Sequence, residues 1–185
     1  MPSLYTRPKP LFHGSEFPLD LGTLLECRRR NHMDSELEEL LERHRPRACP
    51  SRAFSIFMAD DIKAIEHLCL NHDYVYRVAP TGPCWRFDHA WANRAYKILV
   101  AQESGCSHPV ARNLLAAHAR EYWSGRQSNF GRFEPPLWEV LSPGAMILSE
   151  VDLKTGRDVP VRREAPATAM APNWPAEEED DFPSP

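Results

Sequence analysis

The sequence predicts an α+β protein with flanking helices on a mainly antiparallel β-sheet core. Two long segments, 34–44 and 108–125, carry apolar residues at helical spacing, whereas 74–80 alternates like a strand. Strands and helices are interspersed without a regular βαβ rhythm and without an internal repeat, which argues against a doubly wound parallel sheet. The length of 185 residues suits one domain with a sizeable core.

Local signals define most of the expected elements. Asp34 is a favourable N-cap for the first helix, and Pro46 ends it because proline cannot continue a helix. Pro109 lies near the start of the last helix and Gly125 lies past its end. The expected strands are 11–13, 51–58, 74–80, 137–142 and 145–153, and the expected helices are 34–44, 59–72, 89–104 and 108–125.

Composition divides the chain into three parts. Residues 1–9 are proline-rich and are expected to form an extended arm, and residues 10–163 are expected to form the single folded domain. Residues 164–185 are rich in proline and alanine and contain the acidic run 177–181. Such a tail cannot bury enough apolar surface to offset its ordering entropy, so we expect it to be disordered.

Net charge and cysteine content limit the classes of function that the sequence suggests. The net charge of −4 gives no general basic footprint for duplex nucleic acid. The five cysteines are odd in number and never form a CxxC pair, which argues against a disulfide framework and a cysteine zinc site. Neither a signal peptide nor a membrane-spanning run is visible, so we expect no membrane partner and a cytoplasmic location, or delivery into a target cell.

Common catalytic motifs are missing, but three stretches carry chemistry. The chain has no GxGxxG, P-loop, GxSxG or HExxH motif. In "PLFHGS" the glycine at 14 beside His13 lets a ligand approach the backbone closely. "PSRAFSIFMADD" combines a strand, an aromatic residue and a following helix. In "PPLWEVL", Glu139 shares a strand face with two leucines, where a carboxylate is costly to bury unless it is paired or used.

Together these stretches resemble the ADP-ribosyltransferases of the diphtheria-toxin and poly(ADP-ribose) polymerase branch, in particular bacterial and phage members. "FHGS" is similar to their histidine–glycine–serine/threonine motif, and "SIFMADDIKA" is similar to their second motif. Ser55 then stands in the place of a glycine and Phe57 in the place of a stacking tyrosine. Glu139 is similar to the catalytic glutamate. The resemblance covers about residues 8–153 and implies a split, mainly antiparallel sheet.

The resemblance implies that NAD+ is the substrate and that no metal is needed. Glu139 would stabilise the positive charge that develops on the ribose as nicotinamide leaves. His13 would bind a hydroxyl of the adenosine-side ribose, Gly14 would bind the nicotinamide carboxamide, and Phe57 would stack on its ring.

Further contacts to NAD+ are expected from Ser15, Arg52 and Ser55, and Arg52 is expected to pair with a phosphate. In the family, the loop before the catalytic glutamate recognises the acceptor. Here that loop is 126–136, with Phe130, Arg132 and Phe133 as its candidate acceptor contacts and with the two phenylalanines expected to be exposed. Aromatic and arginine side chains suit a nucleobase or a protein surface, so the acceptor is expected to be a protein or a nucleic acid. A toxin or effector of this kind would also have an antitoxin or regulatory partner.

Alternatives within the same fold stay open at this point. The chain is alternatively an NAD+ glycohydrolase, an RNA 2′-phosphotransferase, or a module that binds NAD or ADP-ribose without catalysis. Leu68 stands where a second stacking tyrosine is expected, with Tyr74 or Tyr76 as substitutes. Leu137, two residues before Glu139, differs from the glutamate or glutamine common in arginine-modifying members and argues against that acceptor.

Overall fold

A computed structural model describes residues 10–27, 35–68, 72–105, 109–131 and 134–160. The expected arm at 1–9, the expected tail at 164–185 and Asp34 at the expected helix N-cap lie outside the described residues. Arg132 and Phe133 of the expected acceptor loop also lie outside them.

The described chain is α+β, as predicted, with four α-helices and seven strands in one antiparallel sheet. The strands are β1 Leu11–Ser15, β2 Leu24–Glu26, β3 Ile56–Ala59, β4 Tyr74–Pro80, β5 Trp85–Asp88, β6 Trp138–Ser142 and β7 Gly144–Glu150. The helices are α1 Ser35–Arg43, α2 Ile65–Leu68, α3 Ala90–Glu103 and α4 Ala111–Ser124. The strand order across the sheet is β2-β7-β4-β1-β3-β6-β5.

Several element boundaries differ from the sequence-based expectation. The segment expected to be a strand at 51–58 begins with a 3₁₀ turn at Arg52–Phe54, and the strand starts only at Ile56. The helix expected at 59–72 begins only at Ile65, as α2, after a 3₁₀ turn at Ile62–Ala64, and positions 69–71 lie outside the described residues. Two short strands, β2 and β5, were not predicted, although "WRFD" in β5 does alternate apolar and polar side chains.

The two faces of the sheet build separate cores. On one face α1, α3 and α4 pack over Phe87 and Leu141, and α2 packs over Phe12 nearby. Full burial of a phenylalanine such as Phe87 contributes roughly 1.5–3 kcal/mol relative to an exposed position. The other face carries a second apolar cluster, whose buried members are Leu11, Met58, Tyr76, Val78, Cys84, Val140, Ala145 and Ile147.

The register of the central strands places the three motif stretches side by side. Strand β3 lies between β1 and β6, and Ala59 pairs with Phe12 on one side and with Glu139 on the other. Phe12 and Ala59 form the one register pair between β1 and β3, whereas β1 and β4 pair continuously from Leu11 to Ser15. Strands β1 and β3 therefore diverge beyond that pair.

Helix ends follow the local signals where these are strong. Helix α4 ends at Ser124 and is capped by Gly125, whose φ of 68° is a left-handed conformation that glycine adopts without steric cost. Among the described residues, no helix has both the length and the apolar character needed to cross a membrane.

Candidate functional site

Glu139 lies in the middle of β6 on the sheet face that the helices cover. Strand alternation places its side chain on the same face as its partners Ala59 and Phe87, and the residue is 2% exposed. Arg52 Nη1 and the Tyr122 hydroxyl both donate to Glu139 Oε1. His89 Nδ1 lies 3.4 Å from the same oxygen, within ion-pair range but without hydrogen-bond alignment. None of these three contacts uses Oε2.

The guanidinium of Arg52 is fully buried and joins three helical elements to β6. Its Nε donates to the carboxylate of Glu38 on α1, with distances of 3.0 and 3.2 Å to the two oxygens. Its Nη1 donates to the hydroxyl of Tyr122 on α4 at 2.6 Å as well as to Glu139. The guanidinium also lies over the ring of Phe57, 4.8 Å from the centroid.

These contacts determine the ionisation of the cluster. Burial disfavours the charged form of Glu139, but the charge of Arg52, helped by His89 and by the Tyr122 hydroxyl, outweighs burial and lowers the pKa to about 2. Burial opposes the charge of Arg52 too, yet Glu139, Tyr122 and Glu38 raise its pKa further above its usual range. Burial raises the pKa of Tyr122 well above 10. At neutral pH the centre is therefore an ionised carboxylate held by a guanidinium and a neutral phenol.

His13 lies across the gap between the two diverging strands. Its Nδ1 is 2.8 Å from the carbonyl oxygen of Phe57, which can only accept, so Nδ1 carries the proton. Burial lowers the pKa of His13, and the bond to Phe57 only partly offsets that effect. The ring is therefore neutral at pH 7, and its Nε2 is an acceptor. Alternation places His13 on the sheet face opposite Glu139, next to Tyr76, whereas Gly14 shares the face of Glu139.

Three of the other expected NAD+ contacts are engaged within the fold. The Ser15 hydroxyl donates to the carbonyl of Phe17 at 2.7 Å. The Ser55 hydroxyl is buried and donates to the carbonyl of Ser51 at 2.7 Å. Arg52 is bound to carboxylates in the interior instead of facing solvent, where a phosphate would meet it. Ser15 and Ser55 thus stabilise local turns, and Arg52 is the ion-pair partner of Glu139.

The aromatic residues of the region are distributed differently from the expectation. Phe130 was expected to be exposed, but it is half-buried because it packs edge-on against Trp91, with ring centroids 4.7 Å apart, and beneath Arg94. Tyr76, a candidate partner for Phe57, is 1% exposed and lies in the cluster on the opposite face. Its hydroxyl accepts the backbone N–H of Leu19 at 2.8 Å.

Sequence reasoning missed four residues of this centre: Glu38, Asp88, His89 and Tyr122. Tyr122 follows Leu115 and Ala119 on one face of α4, a spacing that places its hydroxyl in the core, where it needs a partner. Nothing local distinguishes Glu38 or His89 from a solvated helix residue.

Asp88 holds the segment that leads into the Glu139 strand. It is fully buried, and its carboxylate accepts the backbone N–H groups of Ala90 at 3.0 Å, Ser128 at 2.7 Å and Leu137 at 2.9 Å. One side chain thus ties the start of α3 to Ser128, within the expected acceptor loop, and to Leu137, directly after that loop. Its position before a helix was a usable signal, because aspartate is common there.

A groove lies beside this segment and includes Leu137, two residues before Glu139, in its lining. It has a volume of about 300 Å³ and is lined by residues of α3 and of 134–137, including Asn93, Tyr96, Lys97 and Leu137. Within the described ranges, no group of three or more histidine, cysteine, aspartate or glutamate side chains is arranged to hold a metal ion. Comparison of the chain with protein-family models, curated proteins and solved structures finds no match.

Proposed function

We propose that this protein is an NAD+-dependent ADP-ribosyltransferase that transfers ADP-ribose to a macromolecular acceptor, a protein or a nucleic acid, and releases nicotinamide. The observation that carries the proposal is the adjacency of β1, β3 and β6. These three neighbouring strands bear the histidine–glycine pair, Phe57 and Glu139. Motifs far apart in the chain thereby lie on three adjacent strands, which supports a shared site for nicotinamide and ribose.

The divergence of β1 from β3 supports a seat for the nicotinamide end of NAD+. Gly14, Phe57 and Glu139 share one sheet face, and the gap beyond the Phe12–Ala59 pair separates Gly14 from Phe57. In the proposal, the peptide groups of Gly14 bind the carboxamide and the Phe57 ring stacks on nicotinamide. This gap is also our reason for assigning the split sheet of ADP-ribosyltransferases to the chain.

The charge state of Glu139 supports an electrostatic role. As the C1′–N bond breaks, its electron pair leaves with nicotinamide and positive charge grows on the ribose, which an ionised carboxylate stabilises. A pKa of about 2 makes Glu139 a weak base, so we assign it charge stabilisation and not proton removal from the acceptor. Oε1 is held by Arg52 and Tyr122, and we assign Oε2 to the ribose 2′-hydroxyl.

A second candidate is a module that binds NAD or ADP-ribose without cleaving it. The observation that favours it is the burial of Glu139 in an ion pair with Arg52, which by itself accounts for a carboxylate on an apolar strand. Arg52 also covers one face of the Phe57 ring. Catalysis requires that NAD+ binding uncover Glu139, whereas a binding module has no such requirement.

Turnover of NAD+ tests the first proposal directly. Purified protein is incubated with NAD+, and released nicotinamide is measured by chromatography for the wild type, Glu139→Gln and the exposed matched control Glu103→Gln. We expect release by the wild type and the control and a loss of about 100-fold or more in Glu139→Gln molecules shown to be folded by circular dichroism. Wild-type protein that neither binds nor cleaves NAD+ would refute both candidates.

The products separate the remaining alternatives. With labelled NAD+ and a cell lysate, label that a protease or a nuclease removes identifies the class of acceptor. Free ADP-ribose alone indicates a glycohydrolase, and NAD+ binding without nicotinamide release indicates the binding module. A cyclic phosphate formed from 2′-phosphorylated RNA indicates the phosphotransferase.

A further inference from the structure

The buried guanidinium of Arg52 is held at both of its ends. Nε is fixed by Glu38 on α1, and Nη1 is fixed by Tyr122 on α4 and by Glu139 on β6. A planar guanidinium bound at two edges cannot turn about its long axis, so the direction of Nη1 toward Glu139 is set by the helices. A lysine ammonium is a point charge on a flexible stem and cannot bridge Glu38 and Glu139 in this way.

The polar groups around Glu139 come from the helical side of the sheet, because its strand neighbours Ala59 and Phe87 are apolar. Arg52 approaches from the 3₁₀ turn, Tyr122 from α4, and His89 from the residue before α3, while Glu38 acts through Arg52 from α1. The phenol contributes a hydrogen bond and no charge at neutral pH, whereas the guanidinium contributes a permanent positive charge. All three direct contacts are made to Oε1, so they also restrict rotation of the Glu139 carboxylate group.

From this geometry we propose that Arg52 is a positioning residue that fixes the orientation of the Glu139 carboxylate and leaves Oε2 for the ligand, and that Glu38 holds Arg52 in place. The consequence for NAD+ cleavage rests on the function proposed above. The arrangement itself has readouts that do not require turnover.

The test compares the wild type with Arg52→Lys and with the matched control Arg45→Lys, whose arginine pairs with Glu42 near the surface. The carboxyl carbon of Glu139 is followed by NMR between pH 2 and pH 7 and assigned by its loss in Glu139→Gln. We expect Arg52→Lys to raise the titration midpoint of Glu139 by about one pH unit or more, and Arg45→Lys to leave it unchanged.

Activity gives the second readout. In Arg52→Lys we expect the acid limb of the kcat profile to move to higher pH by the same amount. We also expect kcat at pH 7 to fall about tenfold, with the KM for NAD+ changed less than about threefold, because the substrate contacts remain. Glu38→Gln leaves one acceptor oxygen for Nε where the carboxylate offers two, so we expect a smaller fall in kcat and a smaller shift of the acid limb than in Arg52→Lys.

Each result decides one of the two proposals. Folded Arg52→Lys protein that keeps the wild-type Glu139 midpoint overturns the positioning role. If that variant does not fold, the positioning role is tested on the Arg52 side-chain N–H signals in NMR spectra of the wild type. Hindered rotation and slow exchange that disappear in Glu139→Gln support the role. Signals of a freely rotating guanidinium overturn it. Absence of nicotinamide release by the wild type refutes the proposed function alone, because both NMR readouts remain interpretable.

Discussion

Replacement of Glu139 by glutamine is expected to remove a large, pH-dependent part of the stability of the domain. The folded state lowers the pKa of Glu139 from 4.5 to about 2, which corresponds to about 3 kcal/mol of stabilisation at pH 7. A pKa that folding lowers stabilises the protein at pH values above the unfolded pKa. This contribution is therefore complete above about pH 5 and is lost as the pH falls from 4.5 toward 2.

The direct cost of the substitution has a similar size. Removal of one member of a buried ion pair costs about 3–5 kcal/mol, because the remaining charge stays in the interior. In Glu139→Gln that charge is Arg52, which retains Glu38 as a partner at 3.0 Å, so we expect a cost near the lower value. Total stabilities of domains are about 5–15 kcal/mol, so the variant is expected to fold at 25 °C with a clearly lower Tm.

Urea unfolding at pH 3, 5 and 7 measures both effects. We expect the difference in unfolding free energy between the wild type and Glu139→Gln to shrink steadily from pH 5 to pH 3. Asp152 and Glu134, whose pKa values are also lowered, contribute equally to both proteins and cancel in this difference. Glu103→Gln on the exposed part of α3 serves as the control. A cost below about 1 kcal/mol at pH 7, or a difference independent of pH, would refute the reasoning.

Three further predictions concern the frame around the site. Asp88→Asn replaces one acceptor oxygen by a donor, so we expect a loss of about 1–3 kcal/mol in urea unfolding and faster amide exchange in the segment before β6; unchanged exchange would contradict this. In Gly144→Ala the new Cβ would lie 2.5 Å from Thr81 Oγ1 and 3.0 Å from Leu25 O, so we expect a Tm loss equivalent to about 1–3 kcal/mol, partly recovered by Thr81→Ala. An alanine at 144 that leaves the Tm unchanged would show that the turn adapts freely. The imidazole of His13 is expected to titrate below 6.5 by NMR, and its contribution to stability is expected to decline as the pH falls below 6.5; a midpoint at or above that value would exclude the buried neutral ring.

Patterns that are local in the chain were predicted well from the sequence. Strand β4 occupies 74–80, as its alternation predicted, and α4 ends directly before Gly125, as predicted. These features depend on side-chain periodicity, on backbone conformational freedom and on neighbours within a few residues, all of which can be read from the sequence. For the same reason, the sequence predicted the strand that carries Glu139 and the energetic cost of burying its carboxylate.

Only the tertiary structure shows how the energetic cost of burying the Glu139 carboxylate is offset. Arg52 reaches Glu38, Tyr122 and Glu139, which are 14, 70 and 87 positions away in the chain. Because no local pattern encodes a partner at that separation, sequence reasoning assigned Arg52 to a phosphate. Burial and charge pairing depend on which segments the fold brings together, and here they convert a candidate ligand contact into the counter-ion of the central carboxylate.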